Sequence, residues 1–139
     1  MATDNETKFS IVSTIEAIDE AVVRTVEFAT VAGFRDDAIF GIDMAVREAV
    51  ANAVKHGNKL DSTKMVEITL IGLVNGIEIM IRDFGEGFDV DQVPDPTNPE
   101  NLLKASGRGI LFMHNFVDQV AWERHVGGGT IVRMIKRLL

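Results

Sequence analysis

Residues 65–83 read MVEITLIGLVNGIEIMIRD. Val66, Ile68 and Leu70 alternate with Glu67, Thr69 and Ile71, and Ile77, Ile79 and Ile81 alternate beyond Asn75-Gly76. A period of two puts alternate side chains on one face of a strand. Asn-Gly tolerates positive φ at both positions and is the strongest short hairpin signal. The stretch is expected to be a β-hairpin turning at Asn75-Gly76.

Upstream the period lengthens. Ala38, Ile42, Ala45, Val46, Ala49 and Ala53 share one face of a helix. Asp36 or Asp37 suits its N-terminus through the macrodipole, and Gly57 is the expected C-cap. Ile15, Ile18, Val22, Val26 and Ala29 mark an earlier helix that Gly33 would end, and Phe9–Thr14 is a short candidate strand. Downstream, residues 85–109 break the pattern. Pro94, Pro96 and Pro99, the only prolines of the chain, stand among glycines and acids there. A connection this long inside a domain is either functional or disordered. A helix is expected over about 108–117, then strands over about 119–124 and 130–136 joined through Gly127-Gly128-Gly129. Helices would cover one face of a mixed, mostly antiparallel sheet, an α+β two-layer sandwich.

The chain has 139 residues, which predicts one domain spanning 1–139. With 46% hydrophobic and 25% charged residues it has a globular composition. A net charge of −7 argues against direct nucleic-acid binding, which needs surplus Lys and Arg. The absence of Cys removes disulfides, thiolate metal sites and Cys nucleophiles. No signal core and no membrane-length apolar run is present, so a cytoplasmic protein without a membrane partner is expected.

Four clusters carry chemistry. Glu48, Asn52 and His56 are spaced i, i+4, i+8 on one helix face, offset from the alanine stripe. Glu48 can act as a base, and the Asn52 side-chain oxygen is a hard ligand suited to Mg²⁺. Standing alone, such a pair reads as a solvated face. Next, Arg82-Asp83-Phe84-Gly85-Glu86-Gly87-Phe88 follows the second strand of the hairpin. An ionised Asp83 accepts hydrogen bonds and donates none, which suits a purine amino group and repels a carbonyl oxygen. Gly85 and Gly87 allow a sharp turn and close approach to a ligand. Third, Ser106-Gly107-Arg108-Gly109-Ile110 opens the later helix, where free N–H groups favour an anion. Last, Gly127-Gly128-Gly129-Thr130 leads into the final strand.

The order E-x-x-x-N, D-x-G-x-G, long loop, G-x-G and G-G-T resembles the GHKL (Bergerat-fold) ATP-binding family from about residue 35 onward. REAVANAVKHGN, IRDFGEGFD and GRGILFMHNFVDQV look like the anti-sigma-factor serine kinases of the SpoIIAB/RsbW kind. The resemblance implies a Bergerat fold with ATP and Mg²⁺ as cofactors. Glu48 would be the general base, and Asn52 would hold Mg²⁺ against the phosphates. Asp83 would bond the adenine amino group with support from Thr130, while Gly85 and Gly87 line the nucleotide. Gly107, Arg108 and Gly109 would sit at the polyphosphate, with Lys55 and Lys104 as phosphate neighbours. Residues 89–106 would be the ATP lid.

The resemblance further implies a serine/threonine protein kinase that phosphorylates a STAS-domain anti-anti-sigma factor and sequesters a sigma factor in partner switching. Family members are commonly dimers, so a homodimer is a further expectation. The alternative is a non-catalytic ATP-binding switch protein that regulates a partner phosphatase or another signalling protein. A histidine-kinase catalytic domain fits less well, because no long amphipathic helix carrying a phospho-accepting His is present. Gyrase-, Hsp90- and MutL-like ATPases carry domains for which the chain is too short.

Overall fold

The computed structural model describes residues 5–85 and 113–138. In chain order these form β1 (Glu6–Val12), α1 (Ala17–Ala32), α2 (Asp36–Asn52), a π turn (Ala53–Gly57), β2 (Met65–Leu73), β3 (Gly76–Arg82), β4 (Gln119–Arg124) and β5 (Thr130–Arg137). The five strands make one sheet in the order β1-β2-β3-β5-β4. The sheet expected to be mixed and mostly antiparallel is antiparallel at every described pairing.

Alternation decides which face is covered. Phe9 and Ile11 of β1, Val66, Ile68 and Leu70 of β2, Ile77, Ile79 and Ile81 of β3, and Val132 and Met134 of β5 are buried together with α1 and α2. Each large apolar side chain contributes about 1.5–3 kcal/mol when fully buried. A one-residue slip of β3 would carry all three isoleucines to the opposite face, so burial fixes the register. The α2 stripe is buried as expected at Ile42, Ala45, Val46 and Ala49, with Gly41 and Val50 added. Gly41 lets the Phe116 ring lie directly on the helix, about 3.0 Å from where a Cβ would stand. Helix α1 stops at Gly33, whose φ of 111° is left-handed. Ile15, assigned to its apolar stripe from the sequence, lies before the helix and is exposed. Arg47 joins the two helices through Asp19 of α1 at 2.6 Å and also pairs with Asp43 within α2 at 3.2 Å. These groups are largely solvated, so the pairing contributes at most about 1 kcal/mol and packing dominates.

Three expectations change. The first strand runs over Glu6–Val12 rather than 9–14. The hairpin is present, but Leu73 pairs with Gly76, which makes Val74-Asn75 its turn. No positive φ occurs at Asn75 or Gly76, so the primed turn is not used. Gly76 is needed in the strand instead, because a Cβ there would collide with the carbonyl oxygen of Lys136 on β5. Gly57 is also not a left-handed C-cap. Helix α2 widens into the π turn, Asn58 follows with φ −90°, and the Asn58 N–H bonds Ala53 O at 2.8 Å. Residues 113–116 are helical, and the rest of the expected 108–117 helix lies outside the described residues, as does the 89–106 lid.

Candidate functional site

The densest polar arrangement lies where the end of α2 meets the end of β3. Asp83 stands one residue past β3 and is buried, with 4% of its surface exposed. Its Oδ1 accepts the Gly85 N–H at 3.1 Å and the Thr130 N–H at 3.2 Å. Its own N–H donates to Thr130 O at 3.0 Å, continuing the β3–β5 pairing. Among the described residues both backbone donors go to Oδ1, while Oδ2 lies against Gly57. Burial pushes the Asp83 carboxyl above its ordinary value, while the Gly85 and Thr130 N–H groups and the Arg82 and Lys64 charges pull it back.

Three glycines make this arrangement sterically attainable. A Cβ on Gly57 would collide with the Asp83 carboxylate, and one on Gly85 with the Gly57 carbonyl oxygen. Gly129 has φ +87°, a region side chains disfavour, and a Cβ there would strike the Asp83 carbonyl oxygen. Beside it, Arg82 donates from Nη2 to Gly128 O at 3.0 Å and stacks its guanidinium on the Phe84 ring at 4.1 Å. This clamps the 125–129 turn to the strand end.

The structure thus brings together Asp83, Gly85 and Thr130 from the expected set. Glu48 and Asn52 lie one turn apart on α2 and are half-buried. Among the described residues neither is hydrogen-bonded to the Asp83 carboxylate, which accepts from Gly85 and Thr130. Their connection is the chain itself, which runs from Asn52 through the π turn to Gly57 against the carboxylate. π turns within α-helices are frequent at functional sites. Lys55 and His56 lie within this turn and are exposed. Gly87, Lys104, Gly107, Arg108 and Gly109 lie outside the described residues. Among the described residues no group of three or more His, Asp or Glu is placed to hold a metal. No described helix is long and apolar enough to cross a membrane.

One orphaned atom tests whether a ligand belongs here. Thr130 Oγ1 is buried and has no hydrogen-bond partner among the described residues, although its own backbone is tied to Asp83. Such an atom costs about 1–3 kcal/mol unless a ligand or water satisfies it. A hydroxyl that can donate and accept, together with a carboxylate that accepts, fits the edge of an aminopurine. Sequence reasoning missed Asn58, Ser13 and the contact role of Gly57. They follow no periodicity, and only a short amide directly after His56-Gly57 hints at a polar joint.

A helix layer on an antiparallel sheet, with a buried acid and glycines at the strand ends, defines a nucleotide-binding ATPase-type domain. The chain belongs to the histidine kinase-like ATPase domain family, whose model matches residues 11–136. This bears out the GHKL resemblance, and nucleotide binding is the general property of such a domain. Among its relatives is the anti-sigma F factor of Priestia megaterium, 36% identical over 136 residues, covering 94% of this chain and 90% of that protein. The anti-sigma F factor of Anoxybacillus flavithermus is 38% identical over 106 residues, covering 73% and 71%. The serine-protein kinase RsbW of Bacillus subtilis is 31% identical over 112 residues, covering 76% and 69%.

Proposed function

We propose that this protein is an ATP-dependent serine/threonine protein kinase and anti-sigma factor. In this reading it phosphorylates a STAS-domain anti-anti-sigma factor and otherwise holds a sigma factor in the cytoplasm. The supporting observation is similarity, along most of the chain, to anti-sigma F factors and to a serine-protein kinase. The chain also carries Glu48 and Asn52 one helical turn apart at the start of the path to Asp83.

When bound, ATP with Mg²⁺ supplies the transferable γ-phosphoryl group and screens its charge. Asp83 Oδ2 accepts a hydrogen bond from the adenine amino group, and Thr130 Oγ1 satisfies itself on the same edge. The Asn52 side-chain oxygen would hold the Mg²⁺, with Lys55 and Lys104 as phosphate neighbours and Gly107, Arg108 and Gly109 serving the polyphosphate. Gly85 and Gly87 would line the nucleotide. Glu48 takes the proton from the acceptor serine as the serine oxygen forms its bond to the γ-phosphorus. The bond to the β–γ bridging oxygen breaks and ADP leaves. Catalysis of this kind is mostly positioning and electrostatics. Single-domain organisation over 1–139, a lid at 89–106 and a homodimer belong to the same proposal.

The test is incubation with ATP, Mg²⁺ and candidate STAS proteins, followed by mass spectrometry. One added phosphate on a serine or threonine is expected, and Glu48→Gln is expected to lower the transfer rate at least about 100-fold, the low end for a general base. ATP affinity should stay close to wild type. Transfer by Glu48→Gln at the wild-type rate would remove the base assignment.

A further inference from the structure

Asn58 is buried at 1% exposure and uses three hydrogen bonds at once. Its Nδ2 donates to Ser13 Oγ at 2.8 Å and to Met65 O at 3.0 Å, and its Oδ1 accepts the Phe84 N–H at 2.8 Å. Ser13 is fully buried and donates its own O–H to Lys64 O at 2.6 Å. The amide is therefore fixed in orientation, since only its oxygen can face the Phe84 N–H. Its backbone N–H closes the π turn on Ala53 O. One residue thus ties the end of α2, the segment after β1, the start of β2 and the backbone between Asp83 and Gly85.

That last bond has the widest reach. Gly85 donates to Asp83 Oδ1 only while the 83–85 backbone stays curled, and Phe84 N–H is the middle donor of that curl. We infer that Asn58, braced by Ser13, is a positioning residue that sets the orientation of the Asp83 carboxylate and thereby the preference for a 6-amino over a 6-keto purine. It touches no substrate and acts through Phe84 and Gly85. The inference rests on the proposed reading of Asp83 as the base-recognising acid. It deepens that reading by placing part of the nucleotide specificity in a buried amide outside the ligand pocket.

The experiment compares ATP with ITP, in which the amino group is replaced by a carbonyl oxygen, by titration calorimetry well below the melting temperature. The proteins are wild type, Asn58→Ala, Ser13→Ala and Asp83→Asn, each with its fold checked by circular dichroism. In Asn58→Ala the Kd for ATP is expected to rise about tenfold and the ATP-over-ITP preference to shrink by a similar factor, the scale of one charge-assisted hydrogen bond. Ser13→Ala keeps the Phe84 bond and should move both in the same direction by a smaller factor. A merely structural role would lower the melting temperature of both variants while leaving the preference at its wild-type value, and that result would overturn the inference. Should Asn58→Ala fail to fold, an unchanged preference in Ser13→Ala overturns it equally. Asp83→Asn separates the two levels. If it erases the preference while a folded Asn58→Ala keeps it, only the role of Asn58 falls. If Asp83→Asn keeps the preference, base recognition by Asp83 falls with it.

Discussion

Gly57 shows how a single missing side chain decides a site. Alanine normally stabilises a helical position relative to glycine by roughly 1 kcal/mol. Here the added methyl would meet the Asp83 carboxylate, and overpacking of this kind costs typically about 1–3 kcal/mol. Gly57→Ala is therefore expected to be net destabilising in urea unfolding and to weaken ATP binding about tenfold or more in a titration. Asp83 itself carries a pH signature. Its carboxyl is raised by burial, so it takes up a proton above the ordinary carboxylate value of about 3.9. Ionised, it accepts from an amino group, and protonated, it donates to a keto oxygen. The ATP-over-ITP preference should shrink as pH falls through this raised pKa and stay flat in Asp83→Asn; a flat wild-type profile would contradict the assignment. The stability sign runs the other way. A raised folded-state pKa means the charged form costs folding free energy above that pKa, and the cost vanishes as pH falls below the unfolded value. Acid should not unfold the nucleotide-free protein through this group. Asp83 ahead of Gly85 at a strand end was legible in the sequence, but D-x-G-x-G alone fits an acidic turn equally well, and its nucleotide role came from the family resemblance. Asn58 was not legible, because its three partners, Ser13, Met65 and Phe84, converge only in the fold.

Elements were legible where periodicity is strong and less so where they join. The hairpin of β2 and β3 and both helices follow from their alternating and helical stripes. Their junctions depend on neighbours from elsewhere in the chain. Asn75-Gly76 is a good turn dipeptide in isolation, yet the close passage of Lys136 O requires glycine in the strand and moves the turn to Val74-Asn75. Gly76→Ala tests this. If Gly76 were a turn residue in open space, alanine would cost little beyond turn preference. Packed against backbone that cannot rotate away, it is expected to cost about 1–3 kcal/mol, read as a lower urea midpoint with an unchanged slope. The end of α2 follows the same logic. A sequence reading takes Gly57 for a helix terminator, whereas the extra residue of the π turn is what brings Asn58 and Gly57 onto the Asp83 loop.

At the scale of the molecule, the acidic balance returns as an energetic problem, because a chain of net charge −7 must hold a polyanion. Local donors have to outweigh that repulsion, so a nucleotide that does bind must select the folded state strongly. At about one hundred times its Kd, a ligand binding only the folded chain adds about 2.7 kcal/mol. Melting followed by circular dichroism should therefore rise by several degrees with ATP and Mg²⁺, and an unmoved melting curve would argue against a nucleotide site. The order of strands in the sheet was the part least legible in the sequence. Alternation marks each strand but carries no label for its neighbour, and β5 enters between β3 and β4. This order has a consequence for synthesis. β3, whose isoleucines form the middle of the core, keeps one edge open until residues 130–137 have left the ribosome. An unpaired apolar strand edge is a template for association with other chains. The nascent polypeptide thus passes through an adhesive stage that ends only when β5 arrives, and the same arrival brings Thr130 to Asp83. A chain stalled before residue 130 would be prone to aggregate and would lack the Thr130 contacts that hold Asp83.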